Sequence, residues 1–159
     1  MQNLVIVGIS DTADRIIRFV ERYNLFHVLG CTVNKEYMPK TGMAIVGEIV
    51  WKAYSEKLYA YASFVVCRDG KDVKGFAAFY KNVDANQLYV TLICVDKQFQ
   101  GKGFGGKMLE VLESLKCEGF ETIALEVVKT NQTACHFYKK QGFIEQEDRG
   151  KKFLMRKAL

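Results

Sequence analysis

Between residues 100 and 107 the chain reads Gln-Gly-Lys-Gly-Phe-Gly-Gly-Lys, with four glycines in six positions. An apolar, β-branched run at 88–95 precedes this segment. An amphipathic stretch follows, in which Met108, Leu109, Val111, Leu112 and Leu115 share one side. The segment is therefore a loop between a strand and a helix. Missing Cβ atoms let backbone N–H groups approach a ligand closely. A helix start adds unpaired donors and partial positive charge. Together these predict an anion site, most naturally for phosphate. A plain tight turn needs one or two glycines, not four.

Three phosphate-binding patterns compete for these residues. Gly101, Gly106 and Lys107 fit the P-loop spacing GxxxxGK, but Met108 stands where Ser or Thr should hold magnesium. Gly101, Gly103 and Gly106 fit GxGxxG, with Glu126 farther on at a strand end. A dinucleotide loop, however, begins almost where its strand stops. Here residues 96–100 intervene, and the preceding strands read as antiparallel. Gln100, Gly103 and Gly105 fit a third pattern, Q/R-x-x-G-x-G/A.

The rest of the chain supplies context for the loop. Residues 4–9 read as a buried strand, followed by a helix over 11–23 with Ala13, Ile16, Ile17, Val20 and Tyr23 in one stripe. Residues 26–33 read as a second strand, 34–42 as a loop around Pro39, and 44–60 as a helix. From residue 62 the period changes. Strands at 64–68, 74–80 and 88–95 form an antiparallel meander, the first pair joined at Asp69-Gly70. After the glycine loop comes a helix that stops by Gly119, then a buried strand at 122–128. A helix starting at Asn131 is stopped by Gly142, and a hairpin around Asp148-Arg149-Gly150 closes the chain.

The third loop pattern is the pyrophosphate loop of the GNAT superfamily of N-acetyltransferases, which the chain resembles. Asn131, Ala134, Phe137, Tyr138, Gly142 and Phe143 are spaced like that family's second signature helix and its exit. The order of elements from residue 62 onward matches as well. The resemblance implies an α/β chain with a mixed α+β sheet, in the GNAT-type acyl-CoA N-acyltransferase fold. Its central, mostly antiparallel sheet would be splayed at the cofactor site. The expected organisation is one acetyltransferase domain over 1–159, with a divergent part at 1–61 and an acetyl-CoA-binding core at 62–159. Residues 26–33 are surplus to the family's order. They look like part of a βαβ unit, similar to the nucleotide-sugar-binding start of bacterial sugar acyltransferases.

The resemblance also implies roles. Acetyl-CoA would be the acetyl donor, with no metal. Its pantetheine arm would lie between the strands 88–95 and 122–128, bonded to backbone at Ile93 and Val95. Its pyrophosphate would sit on Gln100, Gly101, Lys102, Gly103, Phe104, Gly105, Gly106 and Lys107. Asn131 would bond the pantetheine or merely cap its helix. The backbone N–H near Val95 would steady the thioester oxygen. Tyr138 would pack under the cofactor and protonate the leaving thiolate, since a phenol at its reference pKa near 10 is protonated at neutral pH. Family members often carry a glutamate on the splayed strand. This chain has Tyr89 and Thr91 there instead, so the base is unassigned and Glu126 is one candidate. Cys94 reads as a small apolar core residue rather than an acetyl carrier.

Charge and cysteine content exclude other classes. Lys plus Arg is 23 and Asp plus Glu is 18, a net charge of +5 that selects neither nucleic acid nor a small anion. The basic stretch 139–157 is interrupted by Glu145, Glu147 and Asp148, so it reads as a mixed solvated face and nucleic acid is not an expected partner. Cysteines at 31, 67, 94, 117 and 135 form no CxxC pair, which argues against a disulfide framework or a zinc ribbon. The chain has no membrane-spanning run and no signal-like start, so a cytoplasmic protein is expected. The expected reaction is acetylation of a small-molecule primary amine, with an amino sugar as one candidate acceptor, through a ternary complex. The alternatives are a non-catalytic acyl-CoA sensor, acetylation of a peptide or protein amine, and a nucleotide-dependent enzyme. A homodimer is compatible with the family.

Overall fold

The computed structural model describes residues 3–7, 57–58, 60–69 and 72–159. The helix at 11–23, the strand at 26–33, the loop at 34–42 and most of the helix at 44–60 lie outside the described residues. Residues 57, 58, 60 and 61 are helical, and the Ala62 N–H donates to the Leu58 carbonyl at 2.9 Å.

Among the described residues seven strands form one sheet. They are β1 (Asn3–Val7), β2 (Ser63–Asp69), β3 (Asp72–Asn82), β4 (Gln87–Val95), β5 (Thr122–Val128), β6 (Ile144–Arg149) and β7 (Lys152–Ala158). Their order across the sheet is β1-β2-β3-β4-β5-β7-β6. β1 through β4 pair antiparallel in succession, as do β5, β7 and β6. Only β4 and β5 run parallel. A parallel pair needs a crossover. Here it is α1 (Phe104–Ser114) followed by a 3-10 turn, Leu115–Glu118. A second helix, α2 (Gln132–Lys140), leads from β5 into the final hairpin. This is the mixed, mostly antiparallel sheet that the sequence predicts. No helix among the described residues is long and apolar enough to cross a membrane.

Each helix forms where its apolar positions recur on one side. In α1 these are Phe104, Met108, Leu109 and Leu112, all buried. In α2 they are Ala134, Cys135 and Tyr138. Both stripes join Val65, Phe79, Leu88, Val90, Ile93, Ile123, Leu125, Val127 and Met155 in one core on one face of the sheet. Truncating a fully buried member such as Leu112 to Ala costs about 2–5 kcal/mol. The opposite face carries a second cluster, in which Leu58 and Ala62 pack with Phe64, Val66, Phe76, Ala78, Leu92 and Cys94.

Strand β4 contributes to both clusters, and an irregularity decides how. Ala78 of β3 pairs with Leu92, but the next residue, Phe79, pairs with Val90. Thr91 is therefore the extra residue of a β-bulge. A bulge reverses the alternation beyond it. Leu88 and Val90 face the helices before it, Ile93 and Val95 after it, while Leu92 and Cys94 turn to the other face.

Candidate active site

Strands β4 and β5 are paired only from Gln87↔Thr122 to Val90↔Leu125. Both then continue, β4 to Val95 and β5 to Val128, without pairing to each other. The sheet is thus split in the middle at Thr91. Backbone polar groups along the split must find partners elsewhere.

The ladder shows which groups these are. The Asp96 N–H donates to the Lys74 carbonyl at 2.9 Å, so that residue pair is hydrogen-bonded. In an antiparallel ladder, hydrogen-bonded and non-bonded pairs alternate. Val95, opposite Gly75, is a non-bonded partner, as is Ile93, opposite Ala77. Their N–H groups point away from β3, into the split. On the other side, the Lys129 N–H donates to the Lys151 carbonyl at 3.0 Å. By the same alternation Glu126 and Val128 turn their N–H groups toward the split.

The end of β4 is held in three ways. Gly75 lies so close that a Cβ there would sit 2.7 Å from the Cys94 carbonyl oxygen. The Val95 carbonyl accepts from Gln100 Nε2 at 3.0 Å. Asp96 turns the chain, its carboxylate accepting from the Gln98 N–H at 2.9 Å. Gln100, predicted to sit in an anion loop, thus braces that loop with its side chain.

The loop delivers the chain into α1. Gly101 and Gly103 adopt φ of +74° and +83°, the left-handed region that favours glycine. No side chain caps α1, so its first N–H groups, from Gly103 to Gly106, have no intrahelical partner. Phe104 buries its ring, so only its backbone is available at the loop. Gly105 has a different task. A Cβ there would lie 3.0 Å from the Phe137 ring, so glycine lets α1 approach α2 closely.

Positive charge gathers at the loop. Lys74 Nζ and Lys102 Nζ lie 4.9 and 5.3 Å from the centre of one ring, Phe99. Burial pushes the Cys67 thiol up, while the charges of Lys74 and Lys107 pull it down. Sequence reasoning missed Lys74, Gly75 and Phe99. A glycine inside a strand pattern was the available signal for Gly75.

Asn131 caps α2, its side-chain oxygen accepting from the Ala134 N–H at 3.0 Å. The cap is one of the two roles the sequence leaves open, and it uses only the side-chain oxygen. Tyr138 is buried, 2% exposed, and its ring meets Phe137 and Phe143 at 5.1 and 5.6 Å between centroids. It shares one core with Ile93 and Val127, which flank the split.

Glu126 is paired with two cations. Its carboxylate accepts from Arg149 at 2.8 Å and Lys152 at 3.1 Å. Burial pushes this carboxyl up, but the bonds from Arg149 and Lys152 together outweigh it and hold it below the ordinary value. Tyr89 is pushed the other way, by burial and then by the Glu126 carboxylate, against the pull of Arg149. A phenol held protonated is a donor, not a base. Cys94 is buried in the second cluster, in keeping with an apolar role.

A split between parallel strands, running into an uncapped, glycine-rich, lysine-flanked helix start, can take an extended ligand with an anionic end. Comparison with known proteins agrees. The model of the acetyltransferase (GNAT) family matches residues 23–143. The PaiA N-acetyltransferase from Thermoplasma acidophilum, solved in complex with coenzyme A, superposes with a TM-score of 0.75 at 21% identity, over 100% of this chain and 99% of that one. A GNAT acetyltransferase from Elizabethkingia anophelis with acetyl-CoA bound gives 0.59 at 16% identity, over 68% and 83%. The ribosomal-protein-S18-alanine N-acetyltransferase of Escherichia coli gives 0.68 at 17% identity, over 99% and 94%. A search of curated proteins finds no match. The fold, the split strands and the family match agree: the chain is an acetyltransferase that belongs to the GNAT family.

Proposed function

We propose that the chain transfers the acetyl group of acetyl-CoA to a primary amine of a small molecule, by direct attack within a ternary complex. The observation that carries this reading is the end of β4–β5 pairing at Val90↔Leu125, with both strands running on beside the glycine loop. The donor supplies an acetyl group activated as a thioester. The residues present fit it: an extended chain with amides can add to the opened edge as a strand does. The N–H groups of Ile93 and Val95 would bond the pantetheine. Those of Gly101, Lys102, Gly103, Phe104, Gly105 and Gly106 would bond the pyrophosphate, with the charges of Lys102 and Lys107 beside them. Gln100 holds this loop in shape through Val95, and Asn131 holds the start of α2.

Val95 would donate its N–H to the thioester oxygen, where negative charge develops. Tyr138 would give its proton to the departing sulfur. With Glu126 held by two cations and Tyr89 held protonated, neither is poised to take the amine's proton. Water in the split is the natural acceptor, and the rate should then rise with pH as the amine itself deprotonates.

Calorimetric titration with acetyl-CoA, beside ATP–magnesium and NAD, tests the donor. Binding of acetyl-CoA alone is the expected result, and its failure to bind would overturn the reading. Tyr138→Phe should bind acetyl-CoA within about twofold of wild type yet lower kcat about 100-fold, the usual scale of a lost general acid. An unchanged kcat would remove Tyr138 from the reaction.

A further inference from the structure

Two contacts join the end of α2 to the glycine loop. A Cβ on Gly105 would meet the Phe137 ring, and a Cβ on Gly106 would meet the side-chain amide of Gln141. Phe137 lies in α2 and Gln141 is its C-cap. Four residues apart, they face the same way. That face ends in an amide. Nε2 and Oε1 of Gln141 lie 3.5 and 3.6 Å from the place a Gly106 Cβ would take.

The helix end does not need this side chain. The Gln141 backbone N–H closes α2, donating to the Phe137 and Tyr138 carbonyls, each at 3.0 Å. Among the described residues the side-chain amide makes no hydrogen bond. Its neighbour is the first turn of α1. Gly106 belongs to that turn, and its N–H has no intrahelical partner. In a helix each Cα–Cβ bond tilts toward the N-terminus. The Gln141 amide therefore sits beside the open start of α1. A Cβ stands about 2.5 Å from its own backbone nitrogen, so Gln141 Nε2 is within about 6 Å of the Gly106 nitrogen. Two hydrogen bonds of about 2.9 Å span that distance through one phosphate group. Glycine leaves position 106 without a side chain of its own, and α2 supplies one.

We propose that Gln141 is a further donor-binding residue, whose amide donates from Nε2 to the pyrophosphate of acetyl-CoA beside the Gly106 N–H. The inference rests on the acetyl-CoA reading above and extends the phosphate cradle from the loop to α2. A hydrogen bond to an ionised acceptor is about twice as strong as one between neutral groups. It also has a direction that the flexible ammonium groups of Lys102 and Lys107 lack. The anion then touches α1 and α2 at once and clamps together two helices that Gly105 lets approach closely.

The test titrates the full chain with coenzyme A by calorimetry, for wild type, Gln141→Leu and Gln141→Glu. Gln141→Leu removes the donor and should weaken binding about tenfold, the scale of a lost bond to a charged group. Gln141→Glu keeps the shape but sets a carboxylate against the anion. It should weaken binding more, at least about 30-fold at low salt. Both variants keep the backbone cap, so their thermal unfolding should stay close to wild type. Phosphorus NMR of bound coenzyme A gives a readout that a structural role would not move. The pyrophosphate resonances should shift between wild type and Gln141→Leu, while the 3′-phosphate resonance stays. Wild-type affinity in both variants, or a shift of the 3′-phosphate without one of the pyrophosphate, would overturn the assignment and leave the donor reading standing. Equal losses in Gln141→Leu and Gln141→Glu with an unchanged spectrum would make Gln141 a packing residue and overturn it too. If wild type does not bind coenzyme A, the donor reading and this assignment fall together.

Discussion

Gln100 donates its side-chain amide to the carbonyl oxygen of Val95 at 3.0 Å, so the residue that opens the glycine loop also holds the last residue of β4. The bond occupies the Val95 carbonyl and leaves its N–H toward the split. It fixes the distance between the strand edge and the glycine loop, the two places that one elongated donor molecule would touch at once under the proposed function. Gln100→Ala removes a single exposed hydrogen bond, so stability should fall by only about 0.5–1.5 kcal/mol. Affinity for acetyl-CoA should fall about tenfold, because the loop must then be ordered on binding. Gln100→Glu should be worse than Ala, since a carboxylate repels the Val95 oxygen and brings negative charge to an anion site. Calorimetry on the two variants checks this order; wild-type affinity in both would remove Gln100 from the argument.

Gly75 stands opposite Val95, and a Cβ there would lie 2.7 Å from the Cys94 carbonyl oxygen and 3.2 Å from Val95 Cα. Both are backbone atoms, so the clash cannot be relieved by turning a side chain. Gly75→Ala should push the end of β4 toward β5. We expect a loss of about 2 kcal/mol, a fall in Tm of roughly 5 °C. The displacement also narrows the split, so acetyl-CoA affinity should fall more than the stability loss alone explains. Thermal unfolding followed by titration below the transition separates the two effects. Normal affinity in a destabilised Gly75→Ala would mean the split is set elsewhere.

The sequence revealed most where local chemistry is decisive. The strand at 122–128 and the helix from Asn131 stand out because an asparagine caps the helix and Gly142, with φ of +86°, ends it. The glycine loop was visible for the same reason. The bulge at Thr91 was not. Residues 88–95 are β-branched, aromatic or apolar throughout, so no polar alternation marks where the two faces exchange. The fates of Glu126 and Gln100 were hidden differently. Arg149 and Lys152 lie 23 and 26 residues from Glu126, and only the sheet brings them to it. Gln100 matches a loop pattern by its letter, but its side-chain partner is a carbonyl that no pattern names.

Glu126 also makes a prediction about acid stability. Its folded-state carboxyl lies below the ordinary value of 4.5, with burial opposing and the bonds from Arg149 and Lys152 prevailing. A depressed carboxyl contributes stability that is fully present above the unfolded value. The contribution is lost as pH falls through the folded one. Asp148 is lowered too, chiefly by the hydrogen bond from the Lys129 ammonium, and its contribution is lost at still lower pH, below its ordinary value of 3.8. Tm should therefore be flat from pH 7 to about 5 and decline below about 4.5 as both carboxyls take up protons. Glu126→Gln should be less stable at pH 7, because Arg149 and Lys152 lose their carboxylate, and its decline in acid should be shallower. If Glu126→Gln and wild type ran parallel from pH 7 to pH 3, the two cations would not be holding that carboxyl down, and Glu126 would return as a candidate base.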